Sequence, residues 1–268
     1  MSKNLYIVPY DFTPVTDKAI EYALHIGKRV DTEIRIMHLA PDKAKGMAKV
    51  KLLEEVKDKL NVPANVKVTT SVRVGNIFTD IGKIAEEEKA QLIIMGTHGS
   101  RGMQRLFGSN AMKVVTSADC PFLVVQKTTE LKEISEVIVP IDLTKESLQI
   151  VNIAGDMANI FKANVHVLAE KQSDQILNTR IQNRIGIVSK SYEERGIDAN
   201  IHFVKKAGSY GKKIMQYAKA NNGGMLAIAY HSESLLPQFD SFAQNLITNK
   251  AGLPVLIINS KLASALYF

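Results

Sequence analysis

Short apolar runs rich in β-branched residues alternate along this chain with longer stretches in which apolar residues recur every three or four positions. The first half reads NLYIVPY, then a helical spacing over Pro14 to Lys28; EIRIMHLA, then Gly46 to Leu60; NVKVTTSVRV, then Ile77 to Glu88. QLIIMG follows, then a glycine-rich loop, a short helical stretch over Asn110 to Ser117, and PFLVVQ. Runs of this kind, separated by helix-length segments, predict parallel strands joined by right-handed crossovers, with helices on both faces of the sheet. About five strands make one such α/β unit.

The unit then repeats. LYIVPYDFTPVTDKAIEYAL is echoed by SEVIVPIDLTKESLQIVNIAG, which sets Pro9, Asp11 and Thr13 over Pro140, Asp142 and Thr144, each 131 positions further on. From Gly75, which falls over Gly208, the offset is 133; His98 lands on His231 and CPFLVVQ on LPVLIIN. Self-similarity at so long a period predicts two whole domains rather than a solenoid. The expected architecture is two tandem open parallel five-stranded sheets of Rossmann-like type, over residues 1–127 and 135–260, joined by the polar connector KTTELKEISE and followed by the tail KLASALYF.

Composition narrows the partners. With 268 residues, 46% apolar and 23% charged, the chain suits two globular domains. Its net charge of +7 is spread along helices among glutamates, which favours anions in general. It does not point to nucleic acid, since there is no Trp, aromatics are 6%, and no nucleic-acid fingerprint is present. The single cysteine, Cys120 in ADCPFLVV, reads as a small core residue. The apolar stretch of MSKNLYIVPYDF is too short for a signal peptide, and no run reaches the roughly 18 apolar residues of a membrane span, so a cytoplasmic protein is expected.

The densest chemistry lies in GTHGSRGMQRLFGSN, residues 96–110, directly after a buried strand. In an open parallel sheet a mononucleotide site forms beyond the carboxyl ends of the strands, where strand order reverses. Glycines there let main-chain amides converge on phosphate oxygens, and a helix starting near Asn110 adds its own free amides. Ser109 reads both as the N-cap of that helix and as a phosphate ligand, and the glycines also serve a plain strand-to-helix turn. His98 and Arg101 face either phosphate or solvent; Arg105 reads as surface cover. Neither a Walker loop nor a dinucleotide fingerprint is present. GSYGKK at 208–213 reads as a turn entering a lysine-bearing helix.

VPYDFT after the first strand, MHLA closing the second, VGN after the third and IIMGTHGSRGMQRLFGSNAMKVV...CPFLVV at the end of the half together resemble the universal stress protein family. The resemblance implies the adenine nucleotide alpha hydrolase-like fold and, in that family's nucleotide-binding branch, an ATP site. By it, Asp11 accepts hydrogen bonds from ribose or adenine, Pro9 and Tyr10 line the base pocket, and Leu39 contacts adenine. Gly96, Gly99, Gly108, Ser109 and Asn110 surround the phosphates; His98, between the first two glycines, and Met95 are further candidate cofactor contacts. From the residues alone Asp11 reads equally as a helix cap, and Leu39 and Met95 as core. The family spaces Gly-x-x-Gly and Gly-Ser by nine residues; Gly99 and Gly108 are separated by eight. Mg²⁺ as a companion of the nucleotide is left open.

At the matching places in the second half, Gly96 becomes Ala229, Gly99 Ser232, Gly108 Ser241 and Ser109 Phe242. The second half is therefore expected to be a structural partner without a phosphate cradle. The family further implies an intramolecular pseudo-dimer through the last strands, FLVVQ and VLIIN, and leaves room for a homodimer of the whole chain. Six dispersed histidines offer no metal motif, no Gly-x-Ser-x-Gly elbow is present, and the acid pairs sit in lysine-rich helices. The expected role is a stress-response ATP-binding or regulatory module, with a nucleotide-free scaffold as the rival and at most slow ATP hydrolysis.

Overall fold

A computed structural model describes residues 4–97, 108–230 and 237–260, with the backbone alone described at 108–110 and 237–241. The chain divides into two compact units, Met1–Leu131 and Lys132–Phe268. Unit 1 runs β1 (Asn4–Pro9), α1 (Pro14–Gly27), β2 (Thr32–Ala40), α2 (Lys43–Asp58), β3 (Val66–Val74), α3 (Ile77–Glu87), β4 (Leu92–Thr97), α4 (Gly108–Val115) and β5 (Phe122–Gln126). Its strands lie in the order β3-β2-β1-β4-β5, and every neighbouring pair is parallel. Unit 2 runs β6 (Glu136–Ile141), a 3₁₀ turn (Glu146–Leu148), α5 (Ile150–Phe161), β7 (Asn164–Glu170), α6 (Gln175–Glu194), β8 (Ala199–Val204), α7 (Tyr210–Ala220), β9 (Met225–Tyr230), α8 (Pro237–Ile247) and β10 (Val255–Asn259). Its order is β10-β9-β6-β7-β8, again parallel throughout.

Consecutive residues of the central strands are buried, Ile7 and Val8 in β1 and Ile93 and Ile94 in β4, so both faces of the sheet are covered as a parallel sheet requires. Helix α1 lies against β1, β2, β4 and β5, α2 against β2 and β3, and α3 against α4. Leu53 of α2 and Ile81 of α3 are fully buried.

Two helix starts depart from the expected ones. Helix α2 begins at Lys43 rather than Gly46, because the Asp42 carboxylate accepts the Lys45 amide at 2.8 Å and caps the first turn. Helix α4 begins at Gly108, so Ser109 falls inside the first turn instead of at the cap. In the connector, the Glu130 carbonyl accepts the Tyr22 hydroxyl at 2.9 Å within unit 1, and Ile134 packs on Gly224 within unit 2. The tail from 261 onward lies outside the described residues. Among those described, no helix is long and apolar enough to cross a membrane.

Candidate functional site

Strand order in unit 1 reverses between β1 and β4, and a cavity of about 810 Å³ opens beyond the carboxyl ends of β1, β2 and β4. That volume falls within the roughly 300–1,000 Å³ of small-molecule sites, and the place is where open parallel sheets bind ligands. Six of the residues singled out from the sequence line it: Pro9, Tyr10 and Asp11 from the end of β1, Leu39 from β2, and Met95 and Gly96 from β4. His98 and Gly99 lie outside the described residues, and of Gly108, Ser109 and Asn110 only the backbone is described.

Each placed residue has a local reason for its position. Asp11 is not the N-cap of α1; Thr13 is. Asp11 holds the approach to the helix through one oxygen, Oδ1, which accepts the Thr13 amide at 3.1 Å, the Thr13 hydroxyl at 2.5 Å and the Thr16 hydroxyl at 3.2 Å. Pro14 at the first helical position carries no amide that would need a partner. The Tyr10 hydroxyl donates to Asp17 of α1 at 2.5 Å; burial first, and then that carboxylate, push its pKa above the ordinary tyrosine value, so it remains a neutral donor. Met95 is buried and Leu39 half-buried, each filling core while presenting surface to the cavity.

Gly96 has a packing reason the sequence did not reveal. A Cβ there would lie 2.3 Å from the Val15 carbonyl oxygen, so glycine is required for α1 to approach β4, whatever the loop beyond it binds.

The cavity also includes residues that sequence reasoning passed over. His38 lines it, with Nδ1 donating to the Tyr10 carbonyl at 2.8 Å. Phe12, next to the lining residues Tyr10 and His38, adopts a positive φ of 66°, rare for a bulky side chain, and its ring meets theirs at 5.0 Å and 5.2 Å. The wall after β3 consists of Gly75, Asn76, Ile77, Phe78 and Asp80. The Asp80 carboxylate accepts the Asn76 amide at 2.7 Å, a bond that holds its pKa below the usual range, and Asn76 caps α3 through the Phe78 amide at 2.9 Å. VGN, with an acid four residues past the asparagine, was the available signal; the φ of Phe12 left none. Cys120 donates to the Ala90 carbonyl at 3.3 Å, and burial pushes its thiol up to about 12, a structural rather than a reactive setting.

Unit 2 builds the same turn from Asp142, whose Oδ1 accepts the Thr144 amide at 2.7 Å and the Thr144 hydroxyl at 2.5 Å. The matching cavity is only about 40 Å³. Tyr210, Phe242, Ala229 and Asp142 are among its walls. His231 and Ser232 lie outside the described residues.

The description "Universal stress protein family" belongs to a family model that matches residues 6–126. Universal stress protein MJ0531 of Methanocaldococcus jannaschii is 33% identical over 145 residues, covering 47% of this chain and 85% of that protein. Universal stress protein G of Escherichia coli O157:H7 is 27% identical over 140 residues, covering 45% of this chain and 96% of that protein. Among solved structures, a universal stress protein from Archaeoglobus fulgidus DSM 4304 matches with a TM-score of 0.76 at 16% identity, over 97% of this chain and 100% of that one, a likeness of fold. Parallel strand order, the placement of the cavity and these similarities agree: the chain belongs to the universal stress protein family.

Proposed function

We propose that unit 1 binds an adenine nucleotide, ATP in the first instance, as a regulatory ligand, and that unit 2 is its structural partner. The observation that carries this reading is the 810 Å³ cavity at the strand-order reversal of unit 1, lined by Pro9, Tyr10, Asp11, Leu39, Met95 and Gly96. Pro9, Tyr10 and Leu39 wall the base, and the free Oδ2 of Asp11 accepts ribose hydroxyls while Oδ1 keeps the turn. The phosphates go to the main-chain amides of Gly99 and of Gly108, Ser109 and Asn110 in the first turn of α4, whose partial positive charge favours an anion. Mg²⁺ is then held chiefly by phosphate oxygens and water, the usual mode for this ion. In the same reading the two units form an intramolecular pseudo-dimer, and sedimentation of the whole chain reports on a homodimer.

Protein purified without added nucleotide is heated or acidified, and the released small molecules are examined by adenine absorbance and mass; titration calorimetry with ATP follows. Recovered adenine nucleotide, or saturable ATP binding lost in a Gly108→Val/Ser109→Leu variant, is the expected result. No carried nucleotide and no ATP heat would leave the second reading, a nucleotide-free scaffold, which the eight-residue spacing between Gly99 and Gly108 favours.

A further inference from the structure

The two units share the turn at the first aspartate, and among their differences at the site is one side chain that reaches across it in unit 2. Tyr210 is the first residue of α7, after the N-cap Ser209; Ile77 is the first residue of α3, after the N-cap Asn76. Ile77 lines the open cavity. The Tyr210 hydroxyl instead donates to the Leu168 carbonyl at 2.5 Å, and lies 3.3 Å from that of Ile141, at the ends of β7 and β6. The equivalent positions in unit 1 are Met37 and Tyr10, which line its cavity. The Tyr210 ring stacks on Phe242 with centroids 6.1 Å apart and planes 11° from parallel. A planar ring with a donor at one end, hydrogen-bonded to strand-end carbonyls and stacked on an aromatic face, is how a heteroaromatic ligand would be held.

We propose that Tyr210 is a built-in ligand of unit 2, and that the residue opening the helix after the third strand decides whether each unit's cavity is open. An aliphatic side chain such as Ile77 cannot reach the strand-end carbonyls, so it leaves room; tyrosine spans the gap and removes it. Burial, together with Asp142 and Glu170, raises the pKa of this phenol well above its usual value, so it remains a donor at any physiological pH. Unit 2 thus stands permanently occupied, independent of nucleotide concentration. The claim for unit 2 does not require that unit 1 bind ATP; only its corollary for Ile77 rests on the proposed function.

The test uses the full chain carrying Tyr210→Ala, whose missing atoms are those of phenol. Thermal unfolding is measured with phenol, with benzene and with neither. At about 100 times its dissociation constant phenol is expected to raise the Tm of the variant by roughly 5 °C or more, benzene by clearly less, and phenol to leave the parent protein unshifted. Equal effects of phenol and benzene, or none from either, would overturn the proposal. If the alanine variant does not fold, Tyr210→Phe keeps the ring and drops the hydroxyl: a lower Tm supports the carbonyl bond, and an unchanged Tm overturns it. In unit 1, Ile77→Tyr is expected to weaken ATP binding at least about tenfold, roughly 1.4 kcal/mol. Should the parent protein bind no ATP, the proposed function fails while the phenol result still decides the case of Tyr210.

Discussion

At the end of its first strand each unit makes the same turn, with Asp11 or Asp142 accepting the amide and hydroxyl of the threonine two residues on, yet one turn borders a cavity of about 810 Å³ and the other one of about 40 Å³. A motif retained across a repeat therefore does not bring with it a cavity of the same size. The aspartate is held in both places by a local bond within a few residues, which needs nothing bound. On the proposal above, the openness of each cavity is set by the side chain that opens the helix after the third strand, Ile77 or Tyr210. Unit 2 even enters its first helix differently, through a 3₁₀ turn at Glu146–Leu148 with α5 starting at Ile150, where unit 1 goes straight into α1 at Pro14.

Glycine packing offers the largest effect with which to break this comparison. Gly96→Ala forces a Cβ against the Val15 carbonyl and is expected to destabilise unit 1 by about 3 kcal/mol, whereas Ala229→Gly in unit 2 loses under about 1 kcal/mol; urea titration of each variant reads both. If Gly96→Ala is harmless, the close approach of α1 to β4 is not what demands glycine there.

Next come the two aspartates. Asp11→Ala and Asp142→Ala are each expected to lose about 1 kcal/mol of stability, since the turns they hold are alike. Only the first is expected to weaken ATP binding, by about tenfold in calorimetry. Equal stability losses with ATP binding unchanged in both would leave Asp11 a turn residue alone.

A smaller contrast concerns pH. In unit 2, His202 stacks on His166 at 5.6 Å, and burial, followed by repulsion from His166, holds its pKa below the usual 6.5. His166 in turn meets Glu136 at 2.6 Å and the Tyr217 hydroxyl at 2.7 Å. A depressed folded-state pKa means that this contribution is present above pH 6.5 and is lost as pH falls toward the folded value, because the unfolded chain takes up the proton first. Unit 1 has its counterpart in Glu33: burial opposes the shift, but bonds from Arg35, Lys67 and Thr69 bring its pKa below the usual 4.5, so its contribution is lost only at more acid pH. Thermal scans from pH 7 to 5 are expected to soften unit 2 first, and His202→Phe to flatten that slope.

The smallest effect is expected at Cys120. Its thiol, with a pKa near 12, is expected to resist thiol reagents in the native protein and to react on unfolding, and Cys120→Ala to leave nucleotide binding unchanged. Rapid native labelling would contradict the raised pKa of this half-buried thiol.

Much of this molecule was legible from one-dimensional signals. Strand and helix order followed from periodicity, the two-unit organisation from the 131- and 133-residue offsets, and the cavity's place from the rule that ligands sit where strand order reverses. Asp11, Leu39 and Met95 were picked out and do line that cavity, although Asp11 also spends one oxygen on the turn. What escaped were contacts between distant parts of the chain. The reason for Gly96 is a carbonyl 81 positions earlier, and Phe12 owes its unusual φ to no residue type that normally announces it.

By itself the sequence determined the order of elements and the repeat, because these depend on side-chain period and on residues recurring at a fixed offset. Ala229, Ser241 and Phe242 already marked the second half as the one without a phosphate cradle; only the tertiary structure brought Tyr210 into the wall of its cavity. Tyr210 meets carbonyls 42 and 69 residues before it, and whether a ring fills a space depends on where both ends of that separation come to lie.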